Sequence, residues 1–360
     1  MIINKRQKQV QQSLLKSELE VVKELEKSYQ QAINDINGVI ANLMARKDTE
    51  NLQAIIYQIK YQTALKDELE AFLNVLHTRN YQLIDDYLKD CYENAHIGAL
   101  FDLQGQGVPL MLPLNQEQMI SAITLNSKLS APLYNALGFN IEYLKTAVRM
   151  EISRGIAQEL SYQEIARNIK NTTNVDYNKS LRIAKTEGHR IQQEATYNVQ
   201  KRAIEKGADV VKQWDSTLDG KTRPTHRMLD GQIVGVDDYF KSESGYKALY
   251  PGDFGVPSED CNCRCCLLQR AKWALSDGFT KRDGFTDELR SFATPKDYDE
   301  FKQWYWSKEN LDYMKFYNKM EQKYNTKNFE KLLNAMSDED YKKFKVLEEN
   351  SPMWKRGGDK

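Results

Sequence analysis

The sequence predicts a mostly α protein that carries a small α+β module. Three observations point there. Apolar residues recur at intervals of three, four or seven over long polar stretches; the texture turns to short β-like runs and turns after Gly207; and four of the five cysteines crowd into six positions, at Cys261, Cys263, Cys265 and Cys266. The expected order is an N-terminal helical hairpin over 1–97, a central helical region, a compact Cys/His-bearing β-containing module over 208–268, and a helical C-terminal tail over 283–350.

The hairpin rests on two apolar stripes. Leu15, Val22, Leu25, Tyr29, Ile33, Ile36, Ile40 and Leu43 share one face of a first helix. After a break at Arg46-Lys47, Asp48 or Thr49 can cap a second helix bearing Leu52, Ile55, Ile59, Leu65, Leu69, Phe72 and Leu76. The stripes read as bundle packing, with a partner-binding coiled coil as the other use of the same pattern. Gly98, Gly105, Gly107 and Pro109 then interrupt the helix. Asn115 suits an N-cap, with Met119, Ile120 and Ile123 on one face.

Ser161 and Glu164 form a capping box opening a short helix with Ile165 and Ile169, and KNTTNVD reads as a loop. A further helix is expected from Lys179 to Lys206, ended by Gly207. In the module Val210, Val211 and Trp214 look like strand residues, and Asp219-Gly220 and Asp230-Gly231 like turns. A unit so rich in turns has little core of its own, and such modules often lean on a metal. In the tail, Trp and Tyr at helical spacing read as packing residues, with base stacking as the alternative. The final KRGGDK reads as disordered.

The balance of 51 basic and 51 acidic residues gives zero net charge, which removes any global electrostatic case for nucleic-acid or membrane binding. The first residues resemble no secretory signal, and no apolar run reaches membrane-spanning length. The cysteines are therefore expected to stay reduced, and neighbours such as Cys265 and Cys266 would close no useful disulfide loop. Metal ligation is the better reading. His226, Cys263 and Cys265 supply three zinc-type donors, and a fourth can come from Cys261, taken first, or from Cys266, Asp219 or water. The bland alternative makes Cys265-Cys266-Leu267-Leu268 the start of a buried strand.

Two more clusters stand out. RIAKTEGHR puts Thr186 and Arg190 on one helix face, with Glu187 alongside. It is either a solvated face or an anchor in which Thr186 and Glu187 fasten the helix to the module. WDSTLDGKTRPTHRMLDG gathers Asp215, Asp219, Arg223 and His226 around Trp214. No nucleophile elbow, Walker-type loop or HExxH is present.

The order KTEGHR, then W-D-x-x-x-D-G-K-T-R-x-x-H-x-x-L-D-G, an aromatic at Phe240 and PGDFGVPSEDCNCRC resembles the minor head proteins of tailed bacteriophages, the head-morphogenesis family that includes the F protein of phage Mu. The motifs cover about Ile183 to Cys265, and GIAQELSYQEIARNI resembles the region ahead of them, so the domain is placed at 110–268. Thr186, Glu187, Arg190, Trp214, Asp215, Asp219 and Arg223 are its motif residues here. Lys185 stands where the family usually has arginine, and Cys261 and Cys266 are additions to the usual Asn-Cys-Arg-Cys.

The resemblance implies a virion protein of the capsid interior, made in the host cytoplasm and associated with the portal. It would act in head assembly, with DNA packaging or ejection as further roles and with scaffold and major capsid proteins, and weakly viral DNA, as further partners. The residue reading adds a structural zinc, and a protein of this kind is expected to have no enzymatic activity. The opposed reading is a zinc-dependent hydrolase or nuclease using His226 and a metal-bound water.

Overall fold

A computed structural model describes residues 4–44, 52–108, 110–124, 162–272 and 297–350, and between 143 and 154 all but 149, 152 and 153. Among these, the helices are α1 (Lys5–Met44), α2 (Leu52–Gly105), α3 (Gln116–Thr124), α4 (Tyr162–Glu205), α5 (Pro224–Leu229), α6 (Pro257–Asp260), α7 (Tyr298–Tyr305), α8 (Lys308–Tyr324), α9 (Phe329–Ala335) and α10 (Asp338–Asn350). The strands are β1 (Val210–Asp215), β2 (Ile233–Val234), β3 (Phe240–Lys241), β4 (Lys247–Ala248) and β5 (Cys266–Ala271). The expected class, mostly α with a small β-containing module, is what the chain adopts.

Two compact units result, and neither is continuous in sequence. One holds Met1–Leu15, Asp90–Ala122 and His189–Lys360, the other Lys16–Lys89 and Ile123–Gly188. In the second unit Tyr29, Ala32 and Ile36 of α1 pack with Leu73 and Leu76 of α2, with Leu144 and Val148, and with Ile169 of α4. The stripe on α1 is rotated from expectation at its start. Leu15 is 58% exposed and Val21, not Val22, is buried. The capping pair Asp48/Thr49, the side chains of Ile40, Leu43 and the start of α2, Ser161, the segment around Asp283 and the terminal KRGGDK lie outside the described residues.

One predicted interruption starts later than expected and another is absent. Helix α2 runs through Gly98, because a Cβ there would meet Val10 Cγ1 at 2.4 Å, so glycine serves close packing against α1 and not a break. The true stop is at Gly107, with φ +79°. Likewise KNTTNVD is helical. Thr172 and Thr173 turn their hydroxyls back onto the carbonyls of Asn168 and Ile169, at 3.1 and 2.9 Å, which satisfies them without leaving the helix. Gly207 ends α4 as expected, at φ +98°, with its N–H on the Ile204 carbonyl at 2.9 Å. Asn115 caps α3 through the Gln118 amide at 3.0 Å, and Ile123 is buried while Ile120 is exposed.

The module forms a three-stranded antiparallel sheet in the order β2-β1-β5, plus a β3-β4 hairpin. Strand β1 is central and pairs along its length with β5, from Val210 opposite Ala271 to Asp215 opposite Cys266. Its side chains are covered on both faces, which explains VVKQW as a near-continuous buried run. The core around it is shared. Trp214, Phe240, Phe254 and Leu267 join Leu100, Phe101 and Leu103 of α2, Val199 of α4, and Tyr298, Phe301, Tyr305, Tyr317 and Phe344 of the tail helices. The tail aromatics are thus packing residues, with Trp306 among those left partly exposed. None of the described helices is long and apolar enough to cross a membrane.

Candidate metal centre

His226, Cys263 and Cys265 converge. Their donor atoms all lie within 4.8 Å of one another, and all three residues are buried. His226 Nδ1 stands 3.2 Å from Cys265 Sγ and 3.6 Å from Cys263 Sγ. Each side chain reaches this point for a local reason. Arg223 precedes α5 and Pro224 opens it, so this short helix starts at once and turns His226 inward. Helix α6 ends at Asp260, Asn262 takes a left-handed φ of 54°, and Cys263 follows the turn. Cys265 is the last residue before β5.

The ring of His226 is clamped between aromatic rings and a carboxylate. Trp214 meets it edge-on at 5.8 Å and Phe254 lies 5.7 Å away. On the far side Nε2 lies 2.9 Å from Glu259 Oε2. Glu259 is itself fixed by Thr225 Oγ1, donating at 3.0 Å, and Ser244 Oγ, donating at 2.9 Å. Ser216 donates to the His226 carbonyl at 2.7 Å and lies 3.4 Å from Cys265 Sγ. Sequence reasoning passed over Glu259, Thr225, Ser216 and Ser244. The one available signal was an acidic residue two positions before a Cys-rich run.

Electrostatics separates the two thiols. A hydrogen bond from Cys263, joined by His226 and Ser216, pulls the Cys265 thiol down to about 4. The Cys263 thiol, sharing that bond and deeply buried, is pushed up. The pair therefore carries one readily formed thiolate beside the imidazole.

The other predicted residues surround this centre in different ways. Asp219 is exposed and binds Arg264, the residue between the two cysteines, through both carboxylate oxygens at 2.5 and 2.6 Å. Arg264 holds its carboxyl well below the usual carboxylate range. Arg223 donates to the Cys261 carbonyl. Cys261 is half-buried and does not belong to the converging donor set, and neither does Cys266, which pairs with Asp215 at the start of β5. The strand reading holds from Cys266 onward, and Cys265, one residue earlier, faces His226 and Cys263. Asp215 is pushed up to about 6, first by burial and then by Asp230.

Thr186 and Glu187 are buried in the second unit, while His226 lies in the first. Within the first unit, α4 is tied to the module by residues further along. Gln193 Oε1 accepts the Leu267 amide at 2.7 Å, and Tyr197 meets Tyr250 at 5.4 Å. Arg190 pairs with Glu194 at 2.7 Å and donates to the Ala122 carbonyl at 2.6 Å. Its backbone also comes within 3.3 Å of where a Cβ on Gly252 would stand.

The comparisons bear on all of this. Residues 146–268 match the family described as Phage Mu protein F like protein. Among curated proteins, the chain is 26% identical over 280 residues to the minor head protein GP7 of Bacillus phage SPP1, covering 72% of this chain and 87% of that one. It is 31% identical over 315 residues to a protein of Enterococcus faecalis named NAD(+)--arginine ADP-ribosyltransferase EFV, covering 84% of this chain. The chain spans 60% of that relative's length. This second likeness overturns the expectation of no enzymatic role, because most of the chain is shared with a protein named as an enzyme. No solved structure matches. The segment from 146 to 268, which holds the whole His226/Cys263/Cys265 cluster, is the part of the chain that matches the Phage Mu protein F like family.

Proposed function

We infer that the chain is a phage head protein, a minor component built into the virion during head assembly. One observation carries this reading: the likeness to minor head protein GP7 runs through 87% of that protein, far beyond the family segment alone. The finer parts of the proposal are residence in the capsid interior, association with the portal, contact with scaffold and major capsid proteins, and a place in packaging or ejection. Zero net charge supports only weak, salt-sensitive contact with DNA. The test is protein composition of purified heads by mass spectrometry, with a pull-down on the portal protein from cells making both. The chain is expected in heads at low copy and enriched on the portal. Heads that lack it would overturn the reading.

A second reading enters with the ADP-ribosyltransferase relative. Purified chain incubated with labelled NAD+ and a small guanidino acceptor tests it directly. Transfer above the blank would put that chemistry within the shared segment. No transfer would leave it to the part of the relative outside the match.

A further inference from the structure

We propose that His226 Nδ1 and the thiolates of Cys263 and Cys265 hold one zinc-class divalent ion, and that Glu259 is the positioning residue that aims the imidazole at it. The donor chemistry comes first. Two sulfurs and one ring nitrogen are the set a borderline-soft d10 cation prefers over oxygen-seeking Mg2+ or Ca2+. A tetrahedral ion with Zn–N near 2.0–2.1 Å and Zn–S near 2.3 Å separates its N and S donors by about 3.6 Å. The nitrogen here lies 3.2 and 3.6 Å from the two sulfurs.

The tautomer comes second. Glu259 is buried and accepts the Nε2–H at 2.9 Å. It is locked by Thr225 and Ser244, so it has no other place to point. With the ring proton on Nε2, the Nδ1 lone pair faces the sulfurs. A carboxylate behind a ligating histidine is the usual outer arrangement at zinc, and it fixes the tautomer and the orientation of the ring. Binding would release the remaining thiol protons of Cys263 and Cys265 to solvent as the metal–sulfur bonds form. The same three side chains could instead form a cysteine nucleophile with its histidine base. Against that, both thiols and the ring are buried, where no acceptor could approach.

The experiment uses the full chain, purified under reducing conditions, stripped with a chelator and titrated with Co2+ as the spectroscopic stand-in for Zn2+. One equivalent is expected to bind, with thiolate-to-cobalt charge-transfer absorption and the strong visible bands of a tetrahedral site. Cys265→Ser and Cys263→Ser should each weaken the charge-transfer band, and Cys261→Ser should leave it unchanged. Glu259→Gln should keep the bands but weaken Zn2+ binding about ten- to a hundred-fold in competition with a chromophoric chelator. Should Cys263→Ser fail to fold, the Cys261→Ser and Glu259→Gln arms still decide. Absent charge transfer overturns the site. Loss of the band in Cys261→Ser overturns the donor set, and unchanged affinity in Glu259→Gln overturns the positioning role. None of these readouts depends on whether the chain enters heads.

Discussion

The helical regions and the turn-rich module are held together by different physics. In the second unit, α1 and α2 meet through repeated aliphatic and aromatic contacts such as Tyr29, Ile36, Leu73 and Leu76. Each fully buried side chain there contributes on the order of 2 kcal/mol, and many share the load. In the module, strands β2, β3 and β4 are two residues long, so outside the β1–β5 ladder the backbone is fixed by a few specific links. Asp260 accepts the amides of Phe254 and Gly255 at 3.1 and 2.6 Å, Asp219 holds Arg264, and Glu259 holds His226. A distributed core tolerates single losses, whereas a linked one has individual residues on which the rest depends.

The largest test of that difference is Trp214. Its side chain is fully buried and lies 5.1 Å from Phe240 and 5.7 Å from Phe254 as well as against His226. Trp214→Ala is expected to destabilise by about 3–5 kcal/mol, at the top of the range for core truncation. Leu25→Ala, fully buried on α1, should fall lower in a range of about 2–5 kcal/mol because fewer buried atoms are removed. Urea unfolding measures both. A Trp214→Ala loss under about 1 kcal/mol would detach the module from the cooperative core.

Next in size is a titration. His96 is buried on α2 with its ring on the Leu112 carbonyl at 2.9 Å, and burial pushes it down to about 4. An unfolded histidine takes its proton near pH 6.5. Between those values the unfolded state binds more protons, so stability falls as the pH drops from about 6.5 to 4. The expected loss is about 3 kcal/mol, from about 1.4 kcal/mol per pK unit. Unfolding measured across that window in wild type and in His96→Gln should show a steeper slope in the wild type. Equal slopes would mean that the site admits the charge.

How far each region could be read from its residues follows the same division. Period-3.6 apolar spacing found α1 and the later half of α4, because packing against a neighbour imposes that period on the sequence. It failed at Gly98 and at KNTTNVD, where local propensity argued for breaks. There, a close approach to Val10 and two back-bonded threonines override propensity. In the module, residue chemistry picked out His226, Cys263 and Cys265, since few other reasons place imidazole and thiols in such a pattern. Spacing could not separate Cys261 and Cys266 from them, because the left-handed turn at Asn262 and the start of β5 decide which thiols face inward. Glu259 was hard to read for a related reason: beyond its place two positions before Cys261, its partner is 33 residues away and adjacent only once α5 and α6 are in place.

Two glycines sharpen the contrast at smaller cost. Gly98→Ala sets a methyl 2.4 Å from Cγ1 of Val10, a branched side chain that must shift to admit it, in a helix that alanine otherwise favours. Gly252→Ala combines φ +89° with the Arg190 backbone 3.3 Å away, which cannot rotate aside. Both should fall within about 1–3 kcal/mol, with Gly252→Ala the costlier. Thermal unfolding of the pair checks the order. The reverse ranking would make the helix packing the stiffer of the two.

The smallest expected effect lies at the surface of the module and tests whether a link can matter without contributing to global stability. Asp219 is exposed, and its pairing with Arg264 is open to water, where such bonds contribute little to folding. Its Oδ1 also accepts the Lys221 amide at 2.9 Å and the Thr222 hydroxyl at 3.2 Å, which closes the turn between β1 and α5. Asp219→Asn should therefore leave the unfolding midpoint within error while speeding amide hydrogen exchange at Lys221. Asparagine retains one carbonyl acceptor but loses the charge that holds Arg264 in its two-point grip. If exchange at Lys221 is unchanged, the backbone alone shapes this turn. If instead the whole chain loses stability, the turn belongs to the cooperative core, and the division between a distributed helical part and a linked module fails at its edge.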